Sequence, residues 1–224
     1  MLVAAAVCPH PPLLHPEVSR GAATEVTDLL AACDAAVTEL RDLAPDRIVV
    51  VGRTTTAGPL TATGGTFAAY GPDVRVGSGE PNLPLPHTVG CWLLDRTGWD
   101  RGRYYVGVAD EGSATGAAAE VRESADRVAL VVMGDASARR SEKAPGYVDD
   151  RAAGHDAAVT AAFVTGPQAV RALDGRLADE LLAGGWPAWQ TAAHAAGERP
   201  WRAHVRYDGA PYGVGYLVIS LGFD

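Results

Sequence analysis

Cysteine is scarce in this chain, with three residues, Cys8, Cys33 and Cys91, at wide spacing and in odd number. That pattern excludes a disulfide framework and a zinc ribbon, which need paired thiols at set spacings, and it fits a reducing cytoplasm. No apolar run approaches the roughly 20 residues that a bilayer crossing needs. Residues 2–7 are too short, and lack the basic flank, to read as a secretory leader. Basic charge is also in deficit: 19 Lys and Arg stand against 27 Asp and Glu, a net charge of −8 with no basic stripe. Nucleic acid and anionic membrane are therefore poor partners. The expectation is a cytoplasmic protein that binds a small molecule or another protein, with a homo-oligomer left open. Nothing resembles an interdomain linker, and 224 residues at 47% hydrophobic content can bury one core, so a single domain over 1–224 is expected.

What is present is an alternation of strand and helix signals. The run Leu2 to Val7, closed by Cys8-Pro9-His10-Pro11-Pro12, reads as a buried strand ending in a rigid loop that presents His10. Val26, Leu29, Leu30, Cys33, Val37 and Leu40 recur at helical steps, and Arg47 to Gly52 is a β-branched run suited to a strand covered on both faces. Residues 53–65 read as a long loop. Short strands are expected over 66–70 and 73–76, and a helix begins near Thr88, with His87 as its cap. Strands follow at 104–108 and 128–133, helices at 115–124 and 149–163, the latter capped by an aspartate, and further helix to Ala196. The tail reads as a hairpin of strands 203–207 and 214–221. The sum predicts an α/β domain with a mostly parallel central sheet flanked by helices.

Several of these segments together resemble a known family. Val7-Cys8-Pro9-His10-Pro11-Pro12, the Ile48–Gly52 strand, Pro84-Leu85-Pro86-His87, Val131 to Ser137 and the Tyr207…Tyr212-Gly213-Val214-Gly215-Tyr216 tail look like the class III extradiol ring-cleavage dioxygenase superfamily, the LigB group that includes the Memo-like proteins. The likeness spans nearly the whole chain. It implies, in active members, a non-haem Fe(II) that binds a catechol and dioxygen. Two histidines and a carboxylate hold such an iron, and a further histidine does acid–base work.

The resemblance sets His10 at the first ligand position. At the second it finds Val51-Gly52-Arg53-Thr54, at the acid–base position Gly134 to Arg139, and before the final strand pair Trp186-Pro187-Ala188-Trp189, none supplying the expected donor. The favoured reading is a superfamily member with a degenerate metal site that has become a small-ligand or partner-binding protein. No cofactor is favoured in that reading. Its pocket candidates are His10, Arg53, His87, Arg139, Tyr147 and Tyr212, and a lone imidazole at the end of the first strand is expected to sit among a guanidinium and indoles. Arg139, Arg140, Lys143 and Arg151 with Arg53 would make the pocket attractive to an anion. One alternative is an active oxygenase holding Fe(II) or another divalent metal, with His10 joined by Cys8, Asp135, His87, His155 or His194. The other is a metal-free hydrolase-like enzyme using Asp135, Ser137 or His10. Three bland expectations accompany these: Cys8 is a core residue, His15 and His204 are surface or loop histidines, and His155 and Asp156 point apart.

Overall fold

In the computed structural model the described residues are 1–20 and 24–223. In chain order they form β1 (Leu2–Cys8), α1 (Pro16–Ser19), α2 (Thr24–Asp42), β2 (Arg47–Arg53), β3 (Gly58–Pro59), β4 (Gly64–Thr66), β5 (Arg75–Gly77), α3 (Leu85–Arg96), β6 (Gly102–Val108), α4 (Glu111–Glu123), β7 (Val128–Met133), α5 (Ala152–Thr165), α6 (Pro167–Arg171), α7 (Gly175–Glu180), α8 (Trp186–Ala196), β8 (Trp201–Gly209) and β9 (Tyr216–Phe223). Seven strands make one sheet in the order β3-β6-β2-β7-β1-β9-β8, and β4 with β5 makes a separate hairpin. Strands β6, β2, β7 and β1 run parallel to one another, while β9, β8 and β3 are antiparallel to their neighbours. The expected α/β architecture with a mostly parallel central sheet is the one observed.

The central parallel strand β2 is β-branched, and both of its faces are covered. Along β2, Ile48 and Val50 pack under α2 and α3 with Leu29, Val37, Val89 and Leu93. Val49 and Val51 pack on the other face with α4, α5 and α8, through Ala118, Val121, Phe163 and Trp189. Each such side chain removed from water contributes about 1.5–3 kcal/mol, so no polar face is left along the strand.

This layering also fixes where a site can form. Beyond β1 and β2 the chain crosses to the α2–α3 face, and beyond β6 and β7 it crosses to the α4–α5–α8 face. Neighbouring strands therefore send their loops to opposite sides, which opens crevices at the carboxyl edge of the sheet.

Several boundaries differ from the sequence expectation. The loop 53–65 contains β3 and the start of β4, and 68–70 is a 3₁₀ turn instead of strand, so the expected strands 66–70 and 73–76 are replaced by the hairpin Gly64–Thr66 and Arg75–Gly77. Helix α3 begins at Leu85, since proline is tolerated in a first helical turn. Helix α4 starts at Glu111, where Asp110 and Ser113 form a reciprocal capping box. Helix α5 has Arg151 in place of an aspartate before its first residue and no side-chain cap.

Candidate functional site

The register of the sheet brings the site residues together. Cys8, Met133 and Gly52 lie abreast on β1, β7 and β2, so His10, Asp135 and Arg53 leave the sheet at one edge. Gly134 N–H donates to Cys8 O at 2.9 Å, and Gly185 N–H, just before α8, donates to Asp135 O at 2.9 Å. The second contact requires glycine: a Cβ on Gly134 would lie 2.1 Å from the Gly185 Cα.

The loop so fixed sets Asp135 against His10. The His10 backbone N–H donates to Asp135 Oδ1 at 2.8 Å, and His10 Nδ1 lies 3.6 Å from the same oxygen, beyond hydrogen-bond reach. That nitrogen is buried without a partner. The side chains are 16% and 19% exposed. The expected company of a guanidinium and indoles is thus corrected: the nearest functional neighbour of His10 is a carboxylate. Burial pushes the Tyr216 phenol well up, and the charge of Asp135 and the phenols of Tyr212 and Tyr207 add to it. Tyr212 itself packs half-buried against the α2–α3 layer.

His87 is inside α3 and wholly buried, so the cap expected of it is overturned. Its Nε2–H donates to Val106 O at 2.9 Å, which leaves Nδ1 as a buried acceptor with no partner. Burial lowers its pKa to about 4, against the Val106 hydrogen bond and with a further lowering from His10. The folded state therefore resists a proton that the unfolded chain takes up near pH 6.5. The stabilising effect is complete above that pH and is lost as pH falls toward about 4, a total of about 3 kcal/mol. Urea unfolding of wild type and His87→Gln across this interval checks the point: the wild-type curve should fall more steeply, and parallel curves contradict it.

The other candidates go elsewhere. Arg53 Nη1 pairs with Asp179 Oδ1 of α7 at 3.1 Å, and Arg53 lines a cleft of ≈ 470 Å³ with Thr54, Thr55, Thr56, Leu60 and Pro84. Ser137 is buried, and both its N–H and its Oγ–H donate to Asp156, each at 2.9 Å. Arg140 Nη1 donates to the same carboxylate at 2.8 Å, and His155 Nδ1 lies 3.3 Å from Asp156 Oδ1, so the two side chains meet instead of pointing apart. Ser137 is held in a structural pin and is not a nucleophile facing a crevice. Arg139 Nη1 donates to Gly146 O at 2.6 Å inside its own loop, and Tyr147 is 61% exposed. Arg151 pairs with Asp149 and Glu180. Of the expected cluster around one anion site, Arg53, Arg140 and Arg151 are instead drawn into separate ion pairs and Arg139 to a backbone carbonyl. His15 lies in the loop before α1 but is buried against Phe67 and Trp92 instead of at the surface, while Cys8 is core and His204 exposed as expected.

The iron implied by the resemblance does not fit these donors. His10 offers one imidazole beside one carboxylate, and His155 is engaged with Asp156. Among the described residues no group of three or more His, Cys, Asp or Glu side chains is placed to hold an ion. Sequence reasoning missed the bonds of Asp156 to Ser137 and Arg140, the pairing of Asp179 and the Gly134–Gly185 approach. A signal existed for the first: Asp156 is the one acidic residue in the alanine-rich helical stretch 152–163.

No protein-family profile matches the chain, and no curated protein matches it. Among solved structures it is similar to the crystal structure of the uncharacterized protein JW3007 from Escherichia coli K12. The TM-score is 0.54 at 14% identity, and the match covers 98% of this chain and 100% of that one. This likeness concerns the fold alone. Among the described residues no helix is long and apolar enough to cross a membrane.

Proposed function

We propose that this chain is an extradiol-dioxygenase-type α/β protein whose iron site has been dismantled, and that it binds a small anionic ligand with an apolar body without a metal. The observation that carries the reading is Arg53. It stands at the carboxyl edge of β2 in a cleft whose other walls are threonine hydroxyls, Leu60 and Pro84. Its pair with Asp179 is solvent-exposed on both sides, at 39% and 59%, and such pairs are weak enough to exchange for a ligand carboxylate. A guanidinium binds carboxylates through a planar fork, and Leu60 and Pro84 would cover the ligand's apolar part.

Ligand-observed NMR with a panel of aromatic and aliphatic carboxylates tests this. Binding should be detected, and Arg53→Gln should weaken it by about 10- to 100-fold, the worth of one hydrogen bond to a charged group. Binding indifferent to Arg53 counts against the proposal. So does protein that retains stoichiometric iron after anaerobic loading with Fe(II) and opens a catechol ring. A second reading, metal-free acid–base chemistry, is favoured by the His10–Asp135 juxtaposition alone, because a small rotation of the imidazole would give a carboxylate-oriented base. Turnover of the bound carboxylate that disappears in His10→Gln would select it.

A further inference from the structure

Helix α7 is six residues long, too short to hold itself, and the chain pins it at both ends. At its start the Asp174 carboxylate accepts the Arg176 and Leu177 N–H groups at 2.9 and 3.1 Å. Gly175 lies so close to Trp186 that a Cβ there would stand 2.5 Å from the indole nitrogen, and that indole is buried. Toward its end Ala178 and Leu181 are fully buried. Ala183 N–H donates to Ala178 O at 2.8 Å, and Ala138 N–H, from the loop after β7, donates to Leu181 O at 3.0 Å. The exit runs through Leu182 at φ 58, a left-handed conformation that a leucine keeps only where the surrounding structure imposes it.

This anchoring presents two carboxylates on successive residues, each set against guanidiniums. Glu180 takes Arg151 at 2.8 Å and Arg176 at 3.0 Å. Asp179 takes Arg53, and it is the one polar partner of that guanidinium among the described residues. The other side of this pair is equally fixed. Arg53 is the last rung of β2, opposite Val108 of β6, and Thr54 N–H donates to Val108 O at 2.9 Å. With both backbones held, the Asp179 carboxylate stays tethered beside Arg53 at a high effective concentration.

Resting on the assignment of the Arg53 cleft to an anionic ligand, we infer that Asp179 is a built-in competitor: its carboxylate occupies the seat on Arg53 that a ligand carboxylate takes. The ligand binds once the Asp179 side chain swings out into water, while α7 itself stays in place. The observed affinity is then the intrinsic one multiplied by the fraction of molecules in which Arg53 is unpaired. A solvent-exposed pair is closed in about three-fifths to five-sixths of molecules, so removing the Asp179 charge should tighten carboxylate binding about two- to sixfold. A neutral ligand does not contend for the guanidinium and escapes the effect.

Ligand-observed NMR titrations with benzoate and 3-phenylpropionate, and with benzamide as the uncharged comparator, test the assignment. Asp179→Asn should lower the Kd of the carboxylates about two- to sixfold and leave benzamide unchanged. In the Arg53→Gln background the same exchange should bring no gain. Glu180→Gln removes an equal charge from the same helix at the position that faces Arg151, and should bind as wild type does. The competitor is overturned if Asp179→Asn binds carboxylates as wild type or more weakly, the latter meaning that Asp179 orients the guanidinium. It is also overturned if Glu180→Gln tightens binding equally, or if the gain persists without Arg53. Each of these leaves the Arg53 cleft standing so long as Arg53→Gln weakens binding. Carboxylates that bind neither wild type nor Asp179→Asn strike both.

Discussion

Gly134→Ala is expected to cost about 3 kcal/mol and to lower the thermal midpoint by about 6–12 °C. The added methyl would occupy a point 2.1 Å from the Gly185 Cα, with the Gly185 N and C both at 3.2 Å, so the obstacle is backbone and cannot rotate away. Either the loop after β7 lifts from the start of α8, breaking the Gly185–Asp135 hydrogen bond, or α8 shifts with the buried indoles of Trp186 and Trp189. In both cases Asp135 moves relative to His10. Gly116→Ala is the control: it sits on the exposed side of α4 with no atom within 4 Å of the new methyl. That exchange should stabilise by about 0.5–1 kcal/mol, the helix-propensity difference. Equal melting of Gly134→Ala and wild type would refute the close approach.

Asp156→Asn is the second large effect, expected at about 3–5 kcal/mol in urea unfolding at neutral pH. The carboxylate is 1% exposed and collects the Ser137 N–H and Oγ–H, the Arg140 guanidinium and the His155 ring nitrogen. An amide keeps the shape but turns one acceptor into a donor that faces other donors, and it leaves Arg140 without its counter-charge. Burial alone would raise the Asp156 pKa, but the hydrogen bonds from His155, Arg140 and Ser137 outweigh it and hold the group below its ordinary value. For a carboxyl lowered by folding, the stabilisation is full at neutral pH and fades as the medium becomes acidic. The gap between variant and wild type should therefore narrow below about pH 3.9. A variant as stable as wild type at neutral pH would show that the pin tying the β7 loop to α5 carries no weight.

The parts of the fold legible in the sequence were those with an unambiguous period. The Ile48–Val51 and Val128–Met133 runs read as buried strands because each is a short continuous apolar run rich in β-branched residues. The start of α3 was hidden because Pro84-Leu85-Pro86 looks like a loop, although the first turn of a helix needs no proline N–H. In the site, His10 and Asp135 were each singled out at a strand end. Their pairing depends on β1 lying beside β7, a neighbour relation that chain order does not encode. Arg53 was placed beside His10 on the same grounds, but it continues the Val49–Val51 side of β2 and so meets Asp179 of α7. Ser137 was separated from its true partner by 19 residues, and no local pattern joins them.

The two margins of the sheet are unequal in length but alike in effect. One ends at the two-residue strand β3, which finishes in Pro59 and lacks its amide donor. The other ends at β8, nine residues long, interrupted by a bulge between Val205 and Tyr207 and studded with Arg202, His204, Arg206 and Asp208. Neither border templates another copy through main-chain pairing. Self-association by sheet continuation is thereby disfavoured.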